Sequence, residues 1–440
     1  MSDKDLTHRV YGYLAEDEDA RVCKDIPESA CNHQPRSFVL MLLSLTLTKL
    51  GDTLVSARLV LPWMLSTLGA PAIFISALVP LRESLALLPQ LFVAQKLREQ
   101  PVRKWFWVAG SVGQALALAL MIVAVATLND SALGWSVVIL LAIFSLSRGI
   151  CSVANKDVTG KTVSKTRRGR LSGVAASAAG FLTLATALVI MFAPDISGER
   201  WLFLALLGAG VILWAFAALL YAGIPEVAGS TEGGGNAINE ALRSLTLLWR
   251  NGQFGHFVIT RALLVSAAFA IPYIVVLIQR QGDAELTSLG SLLLASGLAG
   301  LLAGRVWGRW SDAASHRVMA AASFMSTLVM LLALGLYYWM PDALATGWVA
   351  GALLFLSAVA HHGARVGRKT YLVDMATQDN RAQLTAVSNT VMGVILLAGI
   401  LLGWLDSAYG VAAVLWFLVA VGVLAFVSAL ALPNVSGEEN

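Results

Sequence analysis

The sequence predicts an all-α polytopic membrane protein of about twelve transmembrane helices in two pseudo-symmetric six-helix bundles. Three features carry that prediction: composition, apolar runs of spanning length, and a repeat at half the chain length. Of 440 residues, 57% are hydrophobic and 13% charged, and mean hydropathy is +0.72; soluble domains carry roughly 25% charged residues. About 20 apolar residues span the hydrocarbon core, and about twelve such runs fall near 38–66, 71–94, 105–127, 134–154, 172–194, 201–222, 253–278, 286–304, 318–339, 346–366, 383–404 and 411–432. The runs are continuously apolar rather than alternating. In lipid every backbone polar group needs an internal partner, so these runs read as helices and not as barrel strands.

Taken in order, residues 1–36 are polar and of mixed charge, with Asp17, Glu18, Asp19 and Asp25 among them. They lack the apolar core of a cleavable signal and read as a tail that stays in the mature chain. Basic residues then fall in every second loop: Lys96, Arg98, Arg103 and Lys104; Lys156, Lys161, Lys165, Arg167, Arg168 and Arg170; Arg305, Arg309 and Arg317; Arg368, Lys369 and Arg381. The alternate loops hold little beyond Asp130, Asp195, Glu199, Arg200, Arg280, Asp283, Asp342 and Asp406. The positive-inside rule therefore places both termini in the cytoplasm, in a multi-pass protein of the cell (inner) membrane. The net charge of +4 and pI near 9.0 follow from that topology, and nucleic-acid binding is not expected. Three cysteines are too few for a disulfide framework. Cys151 reads as a small apolar filler, and Cys23, Cys31 and His33 lack the paired spacing of a metal site. Neither metal nor cofactor is expected.

Leu54-Val55-Ser56-Ala57 followed by Pro62-Trp63 recurs 210 positions later as Leu264-Val265-Ser266-Ala267 followed by Pro272-Tyr273. A shift of 213 aligns Glu99 with Asp312, Lys104 with Arg317, Lys156 with Lys369, Arg168 with Arg381 and Leu171 with Leu384. A repeat at half the length marks duplicated halves, a pattern common in transporters. Between them, Gly229 to Gly235 reads as a flexible connector. Asn236 to Arg250 comes next, with Ile238, Leu242, Leu245 and Trp249 at helical spacing, as a short amphipathic helix on the membrane surface. The predicted organisation is a tail over 1–36, a six-helix bundle over 37–222, a cytoplasmic linker over 223–252, a second six-helix bundle over 253–432 and a tail over 433–440.

In these features the chain resembles the major facilitator superfamily. That family carries a loop motif between its second and third helices and again between its eighth and ninth: Gly, three residues, Asp, then a basic end. Gly308, Asp312 and Arg317 keep it in the second copy; in the first, Glu99, Arg103 and Lys104 keep acid and base, with Gln95 in place of Gly. The resemblance implies alternating access, with Glu99, Arg103, Lys104, Asp312 and Arg317 as a cytoplasmic gate whose pairs form when that face closes. In solvated loops the same acids would merely offset local charge. The fifth helix lacks the Gly-Pro pair usual in the family's proton-antiporting drug exporters. Gly173, Ser177 and Gly180 on the fifth helix and Gly297, Gly300 and Gly304 on the eighth make small faces for close packing.

Chemistry should reside in ionisable groups at membrane depth, where each costs about 2.5–3.5 kcal/mol on insertion scales. The first helix holds Lys49, Asp52 and Arg58, and the second holds Arg82 and Glu83. Thr48, Asp52 and Ser56, at i, i+4 and i+8, form one stripe expected to face a central cavity, with Arg58 pointing elsewhere, towards a neighbouring helix. Lys49 and Asp52 can also pair at i, i+3. Glu83 reads either as a proton carrier or as a static partner of Arg82 or Arg58. Arg261 aligns with Gly51 by the first shift, level with Asp52, and is expected to pair with it across the cavity or to hold an anionic substrate. Ser145, Arg148, Ser152 and Asn155 form a stripe on the fourth helix, and Ser357, His361, Arg365 and Arg368 its counterpart on the tenth. Arg148 and Arg365 can equally snorkel. His361 and His362 read as a titrating relay or as hydrogen-bonded filler.

Five of these intramembrane groups are cations (Lys49, Arg58, Arg82, Arg148, Arg261) and two are acids (Asp52, Glu83). An excess of about three suits an organic anion better than a cation. No GxxxxGK[ST], HExxH or GxSxG occurs, so neither direct ATP use nor an enzyme is expected. The leading expectation is a monomeric secondary transporter of a small-molecule solute, coupled to protons. The alternatives are proton-driven efflux of amphipathic compounds and a non-transporting assembly factor or sensor of the same shape.

Overall fold

The computed structural model describes residues 11, 26–192, 199–229, 231, 245–281, 286–344, 346–376 and 381–435. Among them ten helices are long and apolar enough to cross a membrane. The chain is all-helical and multi-pass. The first apolar run forms α1 (Gln34–Leu54) and α2 (Val60–Thr67), and the second forms α3 (Ala72–Leu87) and α4 (Gln90–Arg98). Then come α5 (Lys104–Thr127), α6 (Asp130–Thr162), α7 (Lys165–Phe192) and α8 (Glu199–Ala222). After the linker, the seventh run forms α9 (Gly252–Leu263) and α10 (Ser266–Gln281). The eighth and ninth runs join as α11 (Leu286–Trp339), whose helix is broken at Ala314. α12 (Gly347–Met375), α13 (Arg381–Ala398), α14 (Leu401–Tyr409) and α15 (Val411–Leu430) complete the chain.

The doubled motif is where the first helix of each half breaks. α1 stops at Leu54 and helix resumes at Val60, with Pro62 in the first turn of α2, where a missing N–H costs nothing. α9 stops at Leu263 and α10 starts at Ser266, with Pro272 inside it. The predicted stripe Thr48, Asp52, Ser56 assumed one continuous helix, and the break corrects it. Thr48 is 3% exposed and turns its hydroxyl back on the Ser44 carbonyl at 3.1 Å, while Ser56 belongs to the turn beyond α1.

Buried apolar side chains group in a way that orients the molecule. One cluster, including Phe38, Trp107, Val158 and Tyr221, draws only on residues up to Ile224; another, including Phe254, Phe257, Tyr371 and Leu384, has its buried members only from Phe254 onward. Both lie at the end that carries the basic loops. At the opposite end a single cluster runs through both, from Leu65 and Phe74 to Ile274 and Leu402. Hydrogen bonds between the two parts fall at that end and near mid-span. Gln279 Nε2 donates to the Trp63 carbonyl at 3.0 Å and to Thr67 Oγ1 at 2.5 Å. Ser84 Oγ donates to the Gly393 carbonyl at 2.6 Å and Ser76 Oγ to the Ile400 carbonyl at 3.4 Å.

Close approach needs missing side chains. A Cβ on Gly403 would strike Ser76, and one on Gly393 would lie 2.8 Å from Leu88, so these glycines let α3 lie against α13 and α14. Of the predicted small faces, Gly180 receives Leu301 and Gly297 receives Leu184, joining α7 to α11; Gly173 meets nothing within 4 Å. Most of the predicted amphipathic linker helix, including Ile238 and Leu242, lies outside the described residues. Its C-terminal end forms one helical turn, Leu247–Arg250, with Trp249 82% exposed. Cys23 also lies outside them, and Cys31 is disulfide-bonded, a bond the cysteine count did not lead us to expect.

Candidate functional site

Five side chains from α1, the turn after it, α3 and α6 form a layer of charge near mid-span. Asp52 accepts from Arg82 at 2.7 Å on one oxygen and pairs with Arg148 at 2.5 Å on the other. Arg82 also lies 4.9 Å over the Phe144 ring, which fixes its guanidinium from the far side. Glu83, next in sequence, is turned about 100° around α3 and pairs with Arg58 at 2.6 Å. The pentad keeps one positive charge in excess. All five side chains are partly exposed, so they line a space rather than a sealed core.

Several sequence expectations are corrected here. Lys49 makes no ion pair among the described residues; Asp52 takes Arg82 and Arg148 instead. The Asp52–Arg261 pair across the cavity is absent, because Arg261 is turned onto α13. Arg261 is buried and donates to Ser388 Oγ at 2.5 Å and Asn389 Oδ1 at 2.9 Å on α13. No carboxylate pairs with it among the described residues. Ser388 and Asn389 were missed: two neutral groups in an apolar helix give no periodic signal, and a mid-span Asn was the only hint.

α12 supplies the facing wall. Arg365 donates to His362 Nδ1 at 2.9 Å, and Arg365 and Arg368 lie within electrostatic reach of Glu83. Lys369 is in turn within reach of Lys156 and Lys49 on the other side of the linker. His361 is 7% exposed and its Nε2 has no hydrogen-bond partner among the described residues. Of the two predicted stripes, Ser145 and Ser357 are buried, each bonded to the carbonyl four residues earlier. Asn155 accepts from Tyr221 at 3.2 Å. A cavity of about 90 Å³ lies beside the layer, with Arg58 and His361 in its wall.

At the basic-loop end, Glu99, Arg103 and Lys104 pair within their own half. Among the described residues Glu99 reaches only Lys96, one turn back, at 3.1 Å and exposed. Arg103 instead pairs with Asp157 at 2.5 Å. Glu226 accepts the backbone N–H of Arg103 at 2.9 Å and of Lys104 at 2.6 Å, and pairs with Lys161. Lys104 Nζ donates to the carbonyls of Ala222 and Ile224 at 2.8 and 2.7 Å. Arg317 is exposed, and the Asp312 side chain lies outside the described residues. Asp157 and Glu226 were not singled out because acids among many loop charges carry no positional signature.

The sequence profile described as Major Facilitator Superfamily matches residues 41–393. No curated protein matches the chain. Among solved structures, a POT family transporter in complex with 5-aminolevulinic acid is 10% identical, over 90% of this chain and 95% of that one, with a TM-score of 0.69. The xylose transporter XylE from E. coli, in a partially occluded inward open conformation, is 14% identical over 93% and 100%, TM-score 0.64. The nucleoside transporter NupG is 15% identical over 91% and 98%, TM-score 0.62. At these identities the likeness is one of fold.

Proposed function

The chain belongs to the Major Facilitator Superfamily, and on that premise we propose that it is a secondary active transporter moving a small organic anion by alternating access, coupled to protons. Twelve spans in two bundles, 37–222 and 253–432, joined by the 223–252 linker, would sit in the inner membrane as a monomer with both termini cytoplasmic. The observation that carries the anion is the charge balance. Asp52 and Glu83 are each held by arginine, and Lys49, Arg365, Arg368 and Lys369 stand around them without a paired acid at hydrogen-bond distance among the described residues. A partly desolvated site of that sign attracts and retains anions.

In this reading Arg58 and Glu83 are the labile couple and Glu83 the proton carrier. Asp52, clamped by Arg82 and Arg148, is the anchor that holds the first half's charge layer together. Lys49, Arg261 and His361 contribute to the substrate side. Arg103 and Lys104 stiffen their own half through Asp157 and Glu226, leaving Glu99, Asp312 and Arg317 to meet the opposite half when the basic-loop end closes.

The test uses proteoliposomes, an imposed pH gradient and a panel of labelled small anions. Glu83→Gln is expected to lose gradient-driven accumulation by about tenfold or more while keeping substrate exchange, because exchange needs no net proton movement. Asp52→Asn and Arg261→Ala are expected to impair both. Three variants that transport like the parent would sink the site assignment.

A further inference from the structure

The cavity beside the charge layer has two unlike walls, and the contrast identifies what it takes. Its polar wall holds Ser56, Arg58, His361 and His362; its apolar wall holds Leu59, Ile271 and Leu354. His361 lines it while only 7% exposed, and its Nε2 has no hydrogen-bond partner among the described residues. Arg58 commits its NH2 group to Glu83, and its Nε, without a hydrogen-bond partner among the described residues, is shut off from any water-sized group, which leaves the NH1 group to meet a ligand. A terminal guanidinium N–H makes a charge-assisted hydrogen bond to a carboxylate oxygen. The site thus presents an arginine and two histidines on one wall and an apolar surface opposite.

Size narrows the class. At roughly 10–15 Å³ per water-sized group, about 90 Å³ holds half a dozen non-hydrogen atoms. That accommodates a carboxylate and a chain of a few carbons. A polyhydroxylated solute would set hydroxyls against Leu59, Ile271 and Leu354, where they would find no partner. A dianion would bring a second charge to the apolar wall.

We propose that this cavity is the carboxylate subsite of the transporter and that the substrate is a short-chain monocarboxylate, its oxygens on Arg58 and His361 and its chain against Ile271 and Leu354. The cavity joins the turn after α1 to α10 and α12, so one small ligand touches both sides of the linker. That is the contact a substrate must make to report its presence to both. The inference rests on the anion-transport reading and narrows it to one class.

The experiment measures counterflow of labelled propionate and valerate by the full-length protein in liposomes, with propionamide, succinate and xylose as unlabelled competitors. Both monocarboxylates are expected to be carried, and the three competitors to have no effect at concentrations where unlabelled propionate competes fully. His361→Gln is expected to raise KM for both acids about tenfold. Ala358→Leu and Ser296→Leu, which narrow the cavity from two different helices, are expected to raise KM for valerate at least about tenfold more than for propionate, in keeping with steric discrimination in apolar pockets. If succinate or another dianion is carried and monocarboxylates are not, this subsite assignment falls while anion transport stands. Carriage of monocarboxylates with KM unaffected by all three variants overturns the subsite as well. If no anion is carried by the parent protein, both readings fall.

Discussion

Asp52 and Lys49 stand three residues apart on one helix, a spacing that permits a pair, yet the acid takes two arginines from other helices instead. An i, i+3 pair is worth only about 0.2–0.5 kcal/mol, whereas charge-assisted bonds from planar guanidinium groups are roughly twice as strong as neutral ones and engage both carboxylate oxygens. The residue types at depth were legible in the sequence, because charge in an apolar run stands out. Their partners were not, since partner choice depends on how α1, α3 and α6 rotate about their own axes, and packing fixes that. Two cations beside the same acid should therefore differ in weight. Arg148→Met should lower stability by about 1–2 kcal/mol, a value discounted from that of a fully buried pair because both groups are partly exposed. Lys49→Met should stay within about 0.5 kcal/mol of the parent. Thermal unfolding in detergent, read by a thiol-reactive dye reaching the buried Cys151, ranks the two. Lys49→Met proving the more damaging would mean that Asp52 relies on the lysine.

At the scale of elements, the apolar runs were legible because spanning length and continuous hydrophobicity are properties of sequence alone. The helix breaks were visible only as a repeated motif whose meaning the structure supplies: Leu54 to Pro62 and Leu264 to Pro272 mark where the first span of each half comes apart. Polar groups freed at such breaks are tolerated at membrane depth where they line a cavity, and Ser56 and Arg58 do so here. The tie between α8 and the α4–α5 turn was not legible at all. Glu226 has a side chain 0% exposed and gathers two backbone N–H groups and Lys161 onto one carboxylate. Replacing it by Gln removes the charge that balances Lys161 and leaves one acceptor oxygen where there were two. Glu226→Gln should therefore destabilise by about 1–3 kcal/mol, and hydrogen exchange at the amides of Arg103 and Lys104 should accelerate by about tenfold or more. Unchanged exchange in the peptide spanning those amides would show that Glu226 does not hold the turn.

For the molecule as a whole, the grouping of its cores says which end is shut. The clusters around Tyr221 and Tyr371 are separate at the basic-loop end, while one cluster is continuous through both parts at the other. Packed interiors switch between discrete arrangements rather than deforming continuously, so the proposed alternating access requires the continuous end to part. Gln279 on α10, hydrogen-bonded to Trp63 and Thr67 on α2, sits at that seam. In a background with Cys23, Cys31 and Cys151 replaced, Thr67→Cys with Gln279→Cys should therefore be joined efficiently by a short bifunctional thiol reagent. The joined protein should lose transport, whereas each single-cysteine variant treated alike should keep it. The loss should reverse when a cleavable linker is reduced, which separates a locked seam from a damaged protein. Joined protein that transports at the parental rate would mean that α2 and α10 never part, and the opening would have to be sought between α3 and α14, where Ser76 meets Ile400.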